Sequence, residues 1–204
     1  MQLKDQISID KLLETYKKLN YRIFAKEMSL NIFGVRNTKD RDSNKFNDVI
    51  GAFYLHNNSW VLKTYAATTD PGLTYRLKPC NSNGTAILVP GYYASSWKIG
   101  LHRGKYEALV QYKPLPVYRD NDKDAKLDPG VNNIETGMFG INIHRAYMRG
   151  TAENIDNTSA GCQVIANTDN DYAEFMNLVK QSAKLYGDVF SYCLLLDTDL
   201  GINK

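Results

Sequence analysis

The sequence predicts a mainly β fold with flanking helices, of the α+β class. Short runs of β-branched and aromatic residues, separated by turn-forming residues, fill most of the chain. Apolar residues recur at helical spacing in two other segments, one near the N terminus and one behind Cys162. With 204 residues, the chain is long enough for one domain with a sizeable core and a short appendage.

The N-terminal segment has the pattern of an amphipathic helix. Ser8 and Asp10 are candidate caps, and the helix is predicted to continue to about Lys26. Its apolar positions are Ile9, Leu12, Leu13, Tyr16 and Leu19. We therefore assign residues 1–29 to a helical cover and residues 30–204 to the main domain.

Strands are predicted along the main domain wherever apolar residues alternate between turn signals. The predicted strands cover residues 30–35, 49–55, 60–62, 107–112, 116–118 and 189–196. Residues 56–59 form a hairpin turn, and residues 65–72 form either a surface connection or a cleft wall. Asn167 or Asp169 begins a helix that ends near Gly187 and carries an apolar stripe.

A cysteine and an upstream histidine supply the parts of a thiolate nucleophile. Cys162 offers the sulfur, and an imidazole such as that of His144 can take its proton. His144 alternates with Ile143, so a strand would place it on the face opposite the isoleucine. Gly161 permits positive φ beside the sulfur, and the amides of Gly161 and Cys162 could point at a developing oxyanion. The alternative is that both are satisfied core residues.

These residues resemble a known family. The pattern Ile143-His144, a loop, then Ser159-x-Gly161-Cys162 resembles the catalytic domain of the L,D-transpeptidases, cysteine enzymes that act on bacterial peptidoglycan. The resemblance extends over roughly residues 30–197. It implies a β-sandwich with an N-terminal helix and one helix after the nucleophile. It also implies that Cys162 accepts the acyl group, that His144 is general base and acid, and that Ser159 and Gly161 wall the sulfur.

The chain departs from that family pattern next to the sulfur. Many members have histidine where this chain has Ala160, and arginine where it has Val164. Gln163 stands at a position that is usually apolar. Arg145 or Arg149 is a candidate replacement for the arginine.

Further candidates for substrate contact come from the middle of the chain. Tyr93 and Trp97 belong to an aromatic cluster that could hold a sugar or a peptide stem, although such rings are also typical of cores. His102 lies near glycines and could line the same cleft. Residues 147–157, rich in Asn and Asp, suit a lid over the site.

Composition argues against several other classes. The net charge is only +3, with no basic cluster typical of nucleic-acid binding. The cysteines at 80, 162 and 193 lack disulfide or zinc spacing. Residues 120–128 have alternating carboxylates like a calcium loop but lack its glycine and glutamate, which favours a solvated hairpin loop. We expect no cofactor, no metal and no membrane insertion.

The sequence thus predicts a cysteine peptidase that cleaves an amide bond of the peptidoglycan stem through a thioester. The alternatives are an L,D-transpeptidase that forms cross-links and a non-catalytic wall-binding module of the same fold. No apolar run follows a basic start, so we expect synthesis in the cytoplasm without a signal peptide. The protein would then reach the cell wall only after release from the cytoplasm, as a phage-type lysis enzyme (endolysin) does. We expect a monomer whose substrate is peptidoglycan or muropeptides.

Overall fold

The computed structural model describes residues 2–128, 133–148, 150–167 and 170–203. Three helices are α1 (Ile9–Lys18), α2 (Leu73–Leu77) and α3 (Asp171–Tyr186). The strands are β1 (Asn31–Arg36), β2 (Asp48–His56), β3 (Ser59–Thr68), β4 (Thr85–Leu88), β5 (Gly91–His102), β6 (Tyr106–Gln111), β7 (Leu115–Asp120), β8 (Ile134–Gly137), β9 (Ile143–Arg145), β10 (Gln163–Ile165) and β11 (Val189–Leu196). Short 3-10 helices occupy Leu3–Gln6 and Asp197–Leu200.

Eight of these strands form a closed barrel rather than the expected β-sandwich, so that prediction is wrong. Their order around the barrel is β1-β11-β5-β6-β9-β10-β3-β2. Two parallel pairs close it: β1 with β11, and β9 with β10, which bridge β6 to β3. A sandwich would leave two separate sheets with free edges. The mainly β character is confirmed, and a separate three-stranded sheet has the order β4-β7-β8.

The main core joins barrel strands to α3. Ile143 and Ile165 belong to the same buried cluster as Phe175 and Val179 of α3. A second cluster lies between α1 and the barrel, where fully buried Leu12 contributes from the helix. Both helices are therefore held by burial of an apolar stripe.

The predicted elements mostly appear, with two corrections. The first helix stops at Lys18 rather than near Lys26, because Asn20 adopts a left-handed conformation with φ of 55°. The predicted hairpin forms, and Asn57 and Asn58 both have the positive φ of a tight β-turn. The stretch 65–72 is not a surface connection: β3 continues to Thr68, and its following residues are buried.

No helix in the described part of the chain is long and apolar enough to cross a membrane.

Candidate functional site

Strand pairing places Cys162 and His144 on one face of the barrel wall. β9 and β10 run parallel, with His144 opposite Val164. Cys162 lies two residues before Val164, so its side chain projects from the same face as His144. With strands about 4.8 Å apart and a rise of about 3.3 Å per residue, their backbones are separated by about 8 Å. Ile143 and Ile165 face the core instead, as the alternation predicted.

Cys162 as a whole residue is partly exposed. Its thiol donates a hydrogen bond to the Gly140 carbonyl oxygen at 3.3 Å. Burial of the sulfur raises the pKa of this thiol above its usual value. A hydrogen bond from the Asn142 backbone N–H and the positive charge of Arg103 act in the opposite direction but do not outweigh burial. At neutral pH the sulfur therefore carries its proton.

A tight turn stabilised by the Ser159 hydroxyl presents the sulfur. Ser159 Oγ donates to the Cys162 carbonyl oxygen at 2.8 Å and accepts from the Gly161 N–H at 3.2 Å. The Gly72 N–H binds the Ser159 carbonyl oxygen at 2.9 Å. Ser159 is fully buried, so it shapes the turn and offers no wall to a substrate. The Gly161 amide is committed to this hydroxyl and does not point at an oxyanion site, contrary to the prediction.

Gly161 is required by the turn for two reasons. Its φ is +121°, in a region that side chains rarely adopt. A Cβ there would lie 2.4 Å from the Ala86 carbonyl oxygen of β4. The three-stranded sheet therefore packs directly on the turn that carries Cys162, and only glycine fits between them.

His144 is held with one ring nitrogen bound and the other free. Its Nδ1 lies 2.8 Å from the Arg145 carbonyl oxygen and 3.2 Å from the Tyr106 hydroxyl. A carbonyl only accepts, so we assign the proton to Nδ1, which leaves Nε2 as an acceptor. Nε2 is buried and has no hydrogen-bond partner among the described residues. Burial, with His102 as the next cause, lowers the pKa of His144 to about 3.

His102, a predicted site residue, is in direct contact with His144. The two rings stack with centroids 3.9 Å apart and planes at 28°. His102 Nδ1 accepts a hydrogen bond from the Asn142 side-chain amide at 3.1 Å. Burial and the charge of Arg103 lower the pKa of His102. Both imidazoles are thus neutral near pH 7.

Sequence reasoning missed Arg103, Tyr106 and Asn142. A signal for Asn142 was available, because it lies two residues before His144 and so shares its face. Tyr106 pairs with His102 across the β5–β6 hairpin, where Arg103 is the first turn residue. Their place at the site depends on the register of that hairpin, which the sequence did not reveal.

Arg103, rather than Arg145, brings positive charge to the sulfur. Arg103 is exposed, and its charge lowers the pKa of Cys162, His102 and His144 alike. The Arg145 guanidinium instead lies over the Tyr106 ring, 4.2 Å from its centroid. The other candidate, Arg149, lies outside the described residues.

Two hollows lie near the candidate site. One, of about 290 Å³, is lined by His102, His144, Arg103, Arg145, Lys105 and Asn157 among others. The other, of about 320 Å³, is lined by Ala160 of the turn and by Met138, Phe139 and Arg119. Gly140, the acceptor of the thiol proton, directly follows Phe139. Cys162 itself lines neither hollow: Ala160, two residues before it, lines one, and His144 lines the other.

The segment predicted as a lid borders the first hollow and is tied to the body. The Ile155 N–H binds the Asn44 carbonyl oxygen at 2.9 Å, and the Ala152 N–H binds that of Ala166 at 3.3 Å. Asn44 also donates from its side-chain amide to the Asp156 carboxylate at 2.6 Å. Its described residues thus form part of the wall of the hollow.

The structure does not bring the two predicted aromatic contacts to the cleft. Trp97 is 0% exposed, and its Nε1 donates to the Ile141 carbonyl oxygen at 2.7 Å. Tyr93 packs edge-on against Trp97, and its hydroxyl donates to the Val89 carbonyl oxygen. Trp97 is a core residue with no surface to offer a ligand, and Tyr93 is a half-buried neighbour of it.

The polar residue after the nucleophile has a structural explanation. Gln163 is fully buried, accepts a hydrogen bond from the Tyr192 hydroxyl at 2.9 Å and donates to the Thr69 carbonyl oxygen at 3.4 Å. Arg36 donates to the same carbonyl at 2.8 Å. An apolar side chain at 163 would leave the buried Tyr192 hydroxyl without this acceptor, while the Thr69 carbonyl would keep Arg36.

The Arg36 guanidinium also belongs to a buried charge cluster. Asp70 lies 3.1 Å from Arg36 and 2.9 Å from Arg41. Burial alone would raise the pKa of Asp70, but the two arginines outweigh it and hold that pKa below its usual value. Asp48, also buried and close to Asp70, has its pKa raised to about 6. This cluster connects through Gln163 to the turn of the candidate nucleophile.

No group of possible metal ligands is found around Cys162 among the described residues. Elsewhere in the described chain, Asp120, Asp122 and Asp128 bring their carboxylate oxygens close enough together to hold an ion. Comparison of the chain with protein-family models, curated proteins and solved structures found no match. The function is therefore argued from the site itself.

Proposed function

We propose that the protein is a cysteine peptidase that cleaves an amide bond of the peptidoglycan stem peptide through a thioester on Cys162. One observation carries the proposal: His144 and Cys162 share a face of the barrel wall, and His144 Nε2 is left without a partner there. A structural histidine in a core normally has both ring nitrogens satisfied. A free acceptor nitrogen on the face that also carries a thiol suits a general base.

The reaction has two stages. In the first, the sulfur attacks the carbonyl carbon while His144 Nε2 takes the thiol proton, and the imidazolium then gives that proton to the departing amine as the C–N bond breaks. In the second, Nε2 takes a proton from water, the hydroxide attacks the thioester, and the proton returns to the thiolate. The Nδ1–H proton stays on Nδ1 and keeps its hydrogen bond to the Arg145 carbonyl oxygen throughout.

The protonation states of Cys162 and His144 in the free protein determine at which step the thiol proton moves to His144. The raised pKa of Cys162 and the lowered pKa of His144 both oppose a preformed thiolate-imidazolium pair. Proton transfer therefore accompanies attack on a bound substrate, which must also release the thiol from the Gly140 carbonyl. The nearby charge of Arg103 favours the thiolate as it forms.

The charge of the cleft suits an anionic peptide. Arg103, Lys105 and Arg145 line the hollow at His144, and none of its described lining residues is acidic. Such a surface concentrates ligands that carry carboxylates. The stem peptides of peptidoglycan carry free carboxylates, and the resemblance of the Ser159-x-Gly161-Cys162 pattern to the L,D-transpeptidases points to the same polymer.

Mass analysis of purified muropeptides tests the proposal. The wild-type protein should release a fragment by the addition of one water, and Cys162→Ala and His144→Ala should release none. Cys193→Ala is the matched control, because Cys193 is a buried free thiol in the cluster between α1 and the barrel, and the folded variant should retain full activity. Products that are only cross-linked dimers would show transpeptidation instead.

A non-catalytic wall-binding module is the second candidate. The observation that favours it is the hydrogen bond of the thiol to the Gly140 carbonyl instead of to His144. In that case wild type and Cys162→Ala would bind isolated cell walls equally and neither would change any muropeptide mass.

A further inference from the structure

Three carboxylates converge where β7 ends. Asp120 is the last residue of β7, and Asp122 and Asp128 lie in the connection to β8. One oxygen from each of the three lies within 4.8 Å of the other two. Calcium binds oxygens at 2.3–2.6 Å, so oxygens on opposite sides of one ion are separated by about 5 Å. The three oxygens are thus close enough to share one ion.

The buried member of this group has an oxygen without a partner. Asp120 is 6% exposed, and its Oδ2 makes no hydrogen bond to any described residue. A buried carboxylate oxygen normally has a hydrogen-bond donor or a cation beside it. The unpartnered Oδ2 of Asp120 therefore indicates a missing cation or donor, and this observation is independent of the proximity of the three carboxylates.

Neighbouring arginines do not meet that need. Arg119 donates to Glu135 at 2.7 Å and to the Gly84 carbonyl oxygen at 3.1 Å, and its guanidinium lies over the Phe139 ring. Arg76 is close enough to sense the charge of Asp120, but its Nε and Nη1 donate to backbone carbonyl oxygens. The buried Nη2 atoms of Arg76 and Arg119 make no hydrogen bond to any described residue, so neither of them binds Asp120. Among the described residues, no ion pair involves Asp120, Asp122 or Asp128.

The described part of the connection, residues 121–128, is held in place by the protein itself. Arg76 donates to the Ala125 carbonyl oxygen at 2.8 Å, and the Leu127 N–H binds the Asp42 carboxylate at 2.8 Å. The Leu127 side chain is buried, which anchors the chain next to Asp128. An ion would thus find its ligands largely preordered, which reduces the entropic cost of binding.

We propose that Asp120, Asp122 and Asp128 bind one Ca²⁺ ion. The all-oxygen donor set suits a hard divalent cation and does not suit zinc or copper, which prefer nitrogen and sulfur. The irregular connection suits calcium better than magnesium, because magnesium demands a near-ideal octahedron. Water molecules complete the coordination sphere.

The ion would stabilise the three-stranded sheet next to the candidate active site. Arg119, one residue before Asp120, lines the hollow beside Ala160, and the Ala86 carbonyl of the same sheet contacts Gly161. A cation at the end of β7 ties the β7–β8 connection to the strand. The role is structural and does not depend on the proposed peptidase activity.

Thermal unfolding with added ions tests the site on the full chain. After removal of divalent ions with a chelator, Ca²⁺ at 1 mM should raise the Tm by several degrees, and Mg²⁺ at 1 mM should raise it much less. Isothermal titration of Ca²⁺ should give one site. The binding contribution follows RT ln(1 + [Ca²⁺]/Kd), so the rise should grow with concentration.

Variants that each remove one carboxylate charge distinguish Ca²⁺ binding at the three-carboxylate group from a nonspecific effect of Ca²⁺ on negative charges. Asp120→Asn, Asp122→Asn and Asp128→Asn should each weaken Ca²⁺ binding at least tenfold. Asp124→Asn removes the same charge from the same connection outside the three-carboxylate group, and it should bind like wild type. The proposal is wrong if wild type shows no Ca²⁺ binding, if Mg²⁺ acts equally, or if Asp124→Asn loses as much affinity as Asp120→Asn.

Discussion

The imidazole of His144 stacks on that of His102 at a centroid distance of 3.9 Å, and this contact helps to keep the candidate base neutral. Burial alone disfavours a charged ring, and a second imidazole in van der Waals contact disfavours it further. Because the pKa of His144 is lower in the folded protein than in the unfolded chain, protonation of His144 favours unfolding. The pH dependence of the free energy of unfolding therefore reports the pKa of His144 in the folded protein.

We predict that His144 makes the protein less stable as the pH falls below 6.5. The folded-state pKa is lowered to about 3, so the unfolded chain takes up a proton that the folded chain does not. The contribution of neutral His144 is complete above pH 6.5 and is lost progressively towards pH 3. Between pH 7 and pH 5 the loss should be about 2 kcal/mol, at 1.36 kcal/mol per pH unit below 6.5.

Urea unfolding at pH 7 and pH 5 checks this value. His144→Gln should lose less stability over that interval than wild type, and the difference isolates His144 from titrating carboxyls. His56→Gln is the control, because His56 is an exposed histidine paired with Glu27. Equal losses for wild type and His144→Gln would contradict a buried neutral imidazole.

Gly161→Ala should destabilise the protein by about 2–4 kcal/mol, since it combines an unfavourable φ with a backbone clash. The added methyl would meet the Ala86 carbonyl oxygen at 2.4 Å. Gly104→Ala is the matched control: its φ is +68°, but nothing lies within 4 Å, so only about 1 kcal/mol should be lost. Chemical denaturation measures both, and similar costs would show that the Ala86 contact is not tight.

Alkylation by a small thiol reagent should be slow at Cys162 in the free protein at neutral pH. The thiolate is the reactive form, and burial raises the pKa of this thiol, so its labelling rate should still be rising above pH 9. Exposed Cys80 should label fastest and buried Cys193, with a pKa raised to about 12, slowest. Site-resolved mass spectrometry over a pH series gives the three rates. Fast labelling of Cys162 below pH 7 would instead show a preformed ion pair.

Asp70→Asn should cost about 3–5 kcal/mol, because it leaves the buried Arg36 and the half-buried Arg41 without their shared carboxylate. The contribution of Asp70 is present above its unfolded pKa near 3.9 and is lost as the pH falls through the lowered folded pKa. Glu174→Gln breaks an exposed pair with Lys63 and should cost less than about 1 kcal/mol. Urea unfolding at pH 7 compares them, and similar costs would refute the buried cluster as a stabilising element.

Local patterns in the sequence located most strands but not their closure into a ring. The last strand was predicted at its observed bounds because residues 189–196 form a mostly apolar run typical of a buried strand. Its parallel pairing with β1 joins residues about 160 positions apart, and nothing in either segment specifies that partner. The same limit explains the failure of the sandwich prediction.

The candidate site shows the same division. Cys162 and His144 could be paired from their residue types and spacing, but the contact of His102 with His144 depends on how β5, β6 and β9 align. Trp97 was a candidate ligand contact because aromatic residues serve both cores and clefts. Only the three-dimensional packing shows it to be fully buried.

The closed order of strands has a consequence for how a peptide can be recognised. β9 is flanked by β6 and β10, and β10 by β9 and β3, so neither strand of the Cys162-His144 pair has an open side. An extended polypeptide cannot add itself to the sheet there and be gripped along its main chain. A substrate of the proposed peptidase would have to be recognised through its end groups and side chains, which would favour short, charged, branched peptides over the interior of ordinary polypeptides.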